Sequence, residues 1–143
     1  MLYSRSAEYA IRALVYMARI PEGKYAMTRV IAQEEQIPVH FLAKILQELA
    51  RKGLLKSNKG PSGGFTLKVP ADEIYLLQIV EAMDGPSLSQ SSDQVPWILD
   101  SWKALHSRIM ESLGQSTVAG VAQALAESRE SMKAKRSRRS PRK

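Results

Sequence analysis

The chain has 143 residues, which at roughly 100–200 residues per domain corresponds to one domain or one small domain with an appendage. Its 44% hydrophobic and 24% charged residues are typical of a soluble globular protein. No stretch reaches the ~20 consecutive apolar residues that cross a bilayer, and charges interrupt the first twenty residues, so we predict neither a membrane span nor an export signal. The absence of cysteine excludes a disulfide scaffold, a thiol nucleophile and a cysteine-ligated iron–sulfur cluster. We therefore expect a cytoplasmic protein.

The net charge of +7 is unevenly distributed. Residues 133–143 contain seven bases and no acid, whereas residues 1–132 contain 14 bases and 14 acids. Within the neutral part, six bases and one acid lie between Lys44 and Lys68. The sequence therefore predicts two basic zones, one inside the fold and one in a tail.

Two helices are predicted in the N-terminal part. Residues 4–20 carry apolar side chains at three- and four-residue spacing, with Ser4 or Ser6 as the N-cap. A second helix is predicted over residues 28–36, with Thr28 as its cap. A proline follows each helix closely, and the residue before a proline is pushed out of the helical region.

A third helix, predicted over residues 38–52 and ended by Gly53, is strongly amphipathic. Its outward face carries His40, Ala43, Lys44, Gln47 and Arg51. Two short apolar runs, 54–57 and 65–69, flank a glycine-rich connector and predict a β-hairpin.

The remainder of the chain is predicted to be helical. The predicted order is a helix over 72–83, a linker over 86–95, a helix over 96–113 ended by Gly114, a helix from Thr117 to about 132, and a disordered tail over 133–143. The helix over 96–113 carries an apolar stripe of Ile98, Leu99, Trp102, Leu105, Ile109 and Leu113.

Two helices across a tight turn followed by a hairpin, as in residues 28–69, are typical of a winged helix-turn-helix. The polar and basic face of the third helix fits a DNA major groove in size and sign. The glycine-rich hairpin tip with Lys59 suits a minor groove, since glycine permits close backbone approach and a cation is attracted there. We therefore predict a mainly α fold with a small β-hairpin, with a DNA-binding domain over 1–85 and dimerisation helices over 96–132.

Several motifs allow a second interpretation. The glycine cluster at 60–64 resembles a phosphate-binding loop, but it lacks the Gly-Lys-Ser/Thr ending and does not open a helix. His40 is a DNA contact, an exposed side chain without a role, or a metal ligand. Glu8 is a helix-start or salt-bridge residue, or a carboxylate ligand. The basic tail is a solubilising end or a non-specific DNA anchor. No spacing suggests a nucleophile with its base, so we predict that the protein is not an enzyme.

Several segments of the chain match the pattern of a known family. They are 6–14, 37–49, 53–57, 60–67 and 79–86, followed by Trp102 and Thr117-Val118. Over about residues 1–130 the chain resembles the Rrf-two family of bacterial winged-helix transcription regulators, the group of IscR, NsrR and CymR. The resemblance implies a homodimer, in which the helix over 96–113 pairs with its copy, and a partly palindromic operator.

The resemblance also implies which residues contact DNA. Base contacts fall on residues 38–44, and the family's wing enters the minor groove at Lys59 and Gly60. Together with the outer face of the third helix, the predicted DNA-binding set is Thr28, Val39, His40, Phe41, Lys44, Gln47, Arg51, Lys59, Gly60 and Pro61.

The chain departs from the family in one respect. Many relatives hold an iron–sulfur cluster with three cysteines between the fourth and fifth helices, whereas the corresponding segment 85–96 has serines and no cysteine. We therefore predict no metal site and no cofactor. The sequence favours a homodimeric transcription repressor controlled by a small-molecule effector or protein partner. The alternatives are a module acting mainly through a protein partner, or a sensor with a non-cysteine metal or small-molecule site.

Overall fold

The computed structural model describes residues 4–60, 63–85 and 99–139, with side chains from residue 104 onward in the last range. In chain order its elements are α1 (Arg5–Ala18), α2 (Thr28–Glu35), α3 (Val39–Arg51), β1 (Leu55–Asn58), β2 (Gly64–Leu67), a short 3-10 helix (Ala71–Glu73), α4 (Leu76–Asp84), α5 (Leu99–Gln115) and α6 (Val118–Arg139). The predicted mainly helical fold with one small hairpin is confirmed. Within the described ranges, no helix combines the length and the apolar character needed to cross a membrane.

Helix α1 packs against α2, α3, α4 and α6. Ser4 is its N-cap, and the Ser4 hydroxyl accepts a hydrogen bond from the backbone N–H of Ala7 at 3.1 Å. The backbone N–H of Ser4 donates to the carboxylate of Asp84 at the end of α4, at 2.8 Å. The start of α1 is therefore tied to the end of α4. Ala7, Ala10 and Ala13 have no exposed surface, and their small side chains allow the neighbouring helices to approach closely.

One continuous hydrophobic core joins these helices. Its largest fully buried side chains are Leu14, Ile31, Leu42, Leu46, Leu49, Ile74, Ile79 and Val118. Burial of each such side chain contributes about 1.5–3 kcal/mol to folding. Val118 and Ala122 belong to α6, so the first turns of α6 pack in the same core as α1, α2 and α3, although the sequence pattern groups them with the predicted dimerisation helices.

The turn between α2 and α3 has a left-handed residue. Gln36, which follows the last residue of α2, has φ 54° and ψ 47°. The backbone N–H of Ile37 then donates to the carbonyl of Ala32 at 2.9 Å, the hydrogen bond that closes a Schellman-type helix end. Ile37 is 4% exposed, so the turn is anchored in the core.

This geometry makes Gln36 a site for stabilisation. A left-handed backbone costs an ordinary L residue about 1–2 kcal/mol, whereas glycine adopts it without that cost and loses part of the gain through its freer unfolded chain. We expect Gln36→Gly to raise the free energy of unfolding by about 0.5 kcal/mol in urea titrations. Gln36→Val should lower it, because a β-branched side chain is strained at positive φ. A stabilising valine would show that the turn changes conformation.

The wing is a two-stranded hairpin, and a residue outside the hairpin is also hydrogen-bonded to β2. Leu55 pairs with Leu67 and Asn58 with Gly64, so β1 begins and ends one residue later than predicted and β2 covers 64–67 rather than 65–69. Ala26, in the connection between α1 and α2, exchanges two backbone hydrogen bonds of 2.8 Å with Phe65. The wing is therefore attached to the body of the domain along β2.

Helix α5 extends further than the sequence predicts. Gly114 was expected to end it, but α5 includes Gly114 and ends at Gln115. Two backbone hydrogen bonds of 2.9 Å then attach the connection to the start of α4: Leu76 donates to Ser116, and Val118 donates to Ile74. These tertiary contacts, and not the conformational preference of glycine, set the position of the helix end.

Helix α6 begins as predicted and ends later. The hydroxyl of Thr117 accepts a hydrogen bond from the backbone N–H of Gly120 at 3.1 Å, which confirms Thr117 as a capping residue. The prediction of disorder after Met132 is wrong for residues 133–139, which continue α6. They contain no glycine or proline, lysine and arginine are good helix formers, and cations are favourable at a helix C-terminus.

Candidate nucleic-acid interface

The exposed face of α3 is polar and basic. His40, Lys44, Gln47 and Arg51 have a spacing of four, three and four residues, which places them in one row along the helix. The opposite face is buried through Leu42, Ile45, Leu46 and Leu49. A helix with this face outward presents one imidazole, one amide and two cationic side chains, which are suitable donors for base edges and phosphates.

The first turn of α3 adds two exposed apolar side chains. Val39 is 45% exposed and Phe41 is 43% exposed. Phe41 lies beside the polar row rather than in it: its ring packs edge-on against Tyr9 of α1, with ring centroids 5.7 Å apart and an interplanar angle of 86°. Phe41, which is predicted to contact DNA, is therefore also part of the packing between α1 and α3.

A cleft of about 510 Å³ separates α3 from the wing. Thr28 from the start of α2, Gln47 from α3, and Lys59 and Gly60 from the wing tip all line it. Residues from three separate elements that were predicted to bind DNA therefore share one surface.

The N-cap of α2 is Met27 and not the predicted Thr28.

Two polar residues of this cleft were not predicted from the sequence. Ser57 and Asn58 are both exposed and line it beside Lys59. Their position at the start of the glycine-rich connector is the available signal, since polar side chains at a wing tip can contact the sugar-phosphate backbone.

Arg51 is paired within α3. Its guanidinium donates to the carboxylate of Glu48 through Nε at 3.1 Å and through a second nitrogen. This hydrogen bond lowers the pKa of Glu48 below its ordinary value and raises the pKa of Arg51. The pair is ionised at neutral pH, so a phosphate that binds Arg51 has to compete with Glu48.

The glycine cluster joins two strands. The backbone N–H of Gly63 donates to the carbonyl of Gly60 at 2.8 Å, and Gly64 begins β2. A phosphate-binding loop opens a helix, so the cluster is the wing tip. Pro61 lies outside the described residues.

The predicted dimerisation stripe is only partly described. Ile98 and the side chains of Leu99 and Trp102 lie outside the described part. On α5, Leu105 is 49% exposed, and Ile109 and Leu113 are half-buried.

The residues considered as metal ligands do not form a metal site in the described part of the chain. Glu8 lies 3.9 Å from Arg12 in an ion pair along α1, in agreement with its interpretation as a salt-bridge residue. Among the described side chains, no three His, Asp or Glu residues are grouped as a metal site would require.

Comparisons with known proteins identify a family. Residues 3–124 match the Rrf2 family, described as iron-dependent transcriptional regulators. A protein of Mycobacterium tuberculosis named "Putative HTH-type transcriptional regulator" is 33% identical over 131 residues, covering 85% of this chain and 81% of its own length. A protein of the same description from Aquifex aeolicus is 30% identical over 129 residues, covering 82% and 89%.

Solved structures show the same fold. CymR, the global cysteine regulator of B. subtilis, superimposes with a TM-score of 0.76 at 24% identity, covering 85% of this chain and 95% of CymR. IscR of T. potens has a TM-score of 0.74 at 21% identity, covering 87% and 88%.

The fold is that of winged-helix regulators, and the family and the curated relatives are transcriptional regulators, not enzymes. The chain belongs to the Rrf2 family, which confirms the resemblance found in the sequence.

The family description names iron, and the donor set of this chain does not fit the cysteine-ligated form of such a site. The sequence contains no thiolate donor, and the described residues contain no grouped nitrogen and oxygen ligands.

Proposed function

We propose that this protein is a cytoplasmic, sequence-specific DNA-binding repressor that acts as a homodimer on a partly palindromic operator and does not use a cluster. The observation that carries the proposal is the shared surface of α3 and the wing, on which Thr28, Gln47, Lys59 and Gly60 meet at one cleft. The row of exposed side chains on α3 would enter the major groove, and the wing tip would contact the adjacent minor groove or backbone.

The proposed dimer matches the proposed two-fold symmetry of the operator. Two copies related by a two-fold axis place two α3 helices on half-sites about 34 Å apart, one turn of DNA. The exposed Leu105 on α5 and the apolar side chains beside it supply a surface for such a contact. An effector that changes the angle between the two wing domains would release the operator.

The proposal is tested by selecting genomic DNA fragments with purified full-length protein at near-physiological salt. We expect one inverted repeat with half-sites about one helical turn apart, and a dimer by sedimentation. Recovery of DNA without a common sequence would contradict sequence-specific binding. It would favour the second candidate, a module acting through a protein partner, and the absence of cysteine already points to a control other than a thiolate-bound cluster.

The basic C-terminus is proposed as a non-specific DNA anchor. The described part of it, residues 133–139, is an exposed helix with five cations. Deleting residues 133–143 should flatten the dependence of log affinity on log salt by about 0.9 for each phosphate that the tail no longer neutralises. The selected operator should stay the same. A variant with the same length and glutamine at the basic positions controls for the loss of helix, and an unchanged salt slope in both would dismiss the anchor.

A further inference from the structure

One stripe of α1 faces the helix-turn-helix. Tyr9, Arg12, Tyr16 and Arg19 follow one another at spacings of three, four and three residues, so they share a side of the helix. Each arginine stacks over a tyrosine of the stripe: Arg12 lies 5.7 Å from the ring centroid of Tyr9, and Arg19 lies 5.7 Å from that of Tyr16.

Arg12 holds the end of α2. Its guanidinium donates to the backbone carbonyl of Glu35 and lies 3.6 Å from the Glu35 carboxylate. Glu35 is the last residue of α2 and precedes the left-handed Gln36. The Arg12 side chain is 34% exposed and the Glu35 side chain 19%, so the contact is partly buried and is screened less than a fully exposed ion pair.

Tyr9 holds the beginning of α3. Its ring packs edge-on against Phe41, which stands between Val39 and Lys44 in the chain segment predicted to read bases. Arg12 contacts Glu35 and also stacks on Tyr9, which in turn contacts Phe41. The two contacts therefore form one connected series. The chain Glu35–Arg12–Tyr9–Phe41 spans the turn from the last residue of α2 to the first turn of α3.

We propose that Tyr9 and Arg12 are positioning residues for DNA recognition. They fix the direction in which α3 begins after the connection from α2. They thereby place the side chains around Phe41 against the base edges. This inference rests on the proposed function. A small rotation of α3 displaces base contacts, which need defined hydrogen-bond geometry, far more than it displaces phosphate contacts made by flexible lysines.

The chain provides a matched control. Tyr16 has the same stacked arginine and is partly buried like Tyr9, and Arg19 also pairs with Glu35, at 3.4 Å. Within the described residues, however, Tyr16 makes no ring contact with α3. Tyr9→Leu and Tyr16→Leu therefore remove similar packing, but only the first removes the contact with Phe41.

The test measures the affinity of each variant for the selected operator and for unrelated duplex of the same length, with thermal unfolding alongside. We expect Tyr9→Leu to lower the ratio of the two affinities by about fivefold, as befits one aromatic pair. Tyr9→Phe and Tyr16→Leu should keep the ratio within about twofold, and the salt slope should be unchanged in all. Arg12→Lys keeps the charge but removes the planar stacking group. If Tyr9→Leu does not fold, Arg12→Lys replaces it in the test, and we expect the same reduction of the affinity ratio, about fivefold.

Either of two results would overturn the inference: a folded Tyr9→Leu or Arg12→Lys variant with the wild-type ratio, or an equal reduction in Tyr16→Leu, which would indicate a general effect of destabilising α1. The failure of the proposed function is distinguishable, because the wild-type protein would then prefer no operator over unrelated duplex.

Discussion

The Lys44→Ala/Lys59→Ala variant is expected to weaken operator binding by about 100-fold or more while remaining folded. Lys44 belongs to the exposed row on α3, and Lys59 lines the cleft on the wing side. Within the described part of the chain neither lysine forms an ion pair, so their removal costs the fold little. Each good contact to a base or phosphate is worth about 1–3 kcal/mol, and the variant removes two such side chains from each protomer.

The same experiment distinguishes two ways of binding DNA. If both lysines bind phosphates, the slope of log affinity against log salt becomes less steep by about two units per protomer. If Lys44 binds a base, the variant also tolerates substitutions in the half-site. Fluorescence anisotropy with labelled operator at several salt concentrations measures both quantities.

A control with the same change in charge is available on the wing. Lys56 and Lys68 line a different cleft, formed with the connection between α1 and α2. Lys56→Ala/Lys68→Ala should therefore weaken operator binding by less than about tenfold, through the general electrostatic field alone. If the two double variants weaken binding equally, the binding surface does not lie where α3 and the wing meet.

Gly64→Ala is expected to displace the wing and to lower the free energy of unfolding by about 1–3 kcal/mol, or about 2–8 °C in the midpoint of thermal unfolding. A Cβ atom at Gly64 would lie too close to the backbone carbonyl oxygen of Ala26 and 2.6 Å from its carbon. Both neighbouring atoms are backbone, so no side-chain rotation relieves the clash. The strand has to move, and the two hydrogen bonds between Ala26 and Phe65 break or lengthen.

The displaced wing should also lower DNA affinity, because Gly64 and Phe65 form part of the cleft that contains Lys59. Gly60→Ala is the matched control for stability: among the described residues, a Cβ atom there meets no atom within 4 Å, and we expect an unfolding midpoint within about 1–2 °C of wild type. If Gly64→Ala is as stable as Gly60→Ala, the attachment of β2 to Ala26 does not hold the wing in place.

The local parts of the fold follow from the sequence. The apolar positions of α3 repeat at helical spacing, so one face had to be buried and the row from His40 to Arg51 had to be exposed. The glycine-rich connector between two short apolar runs predicts the wing, and Thr117 predicts the start of α6. These signals depend on neighbours a few residues apart, which is the range in which side-chain pattern determines local structure.

The features of the fold that depend on residues far apart in the sequence are decided by the tertiary structure alone. Arg12 and Glu35 lie 23 residues apart, and nothing in their spacing indicates that they pair. Likewise Ala26 shows no strand signal, yet it holds Phe65, and Gly114 remains inside α5 because the following connection is bonded to α4. Local sequence therefore determined which face of α3 would be exposed. Packing between helices far apart in the chain determined how α3 and the wing are held relative to each other.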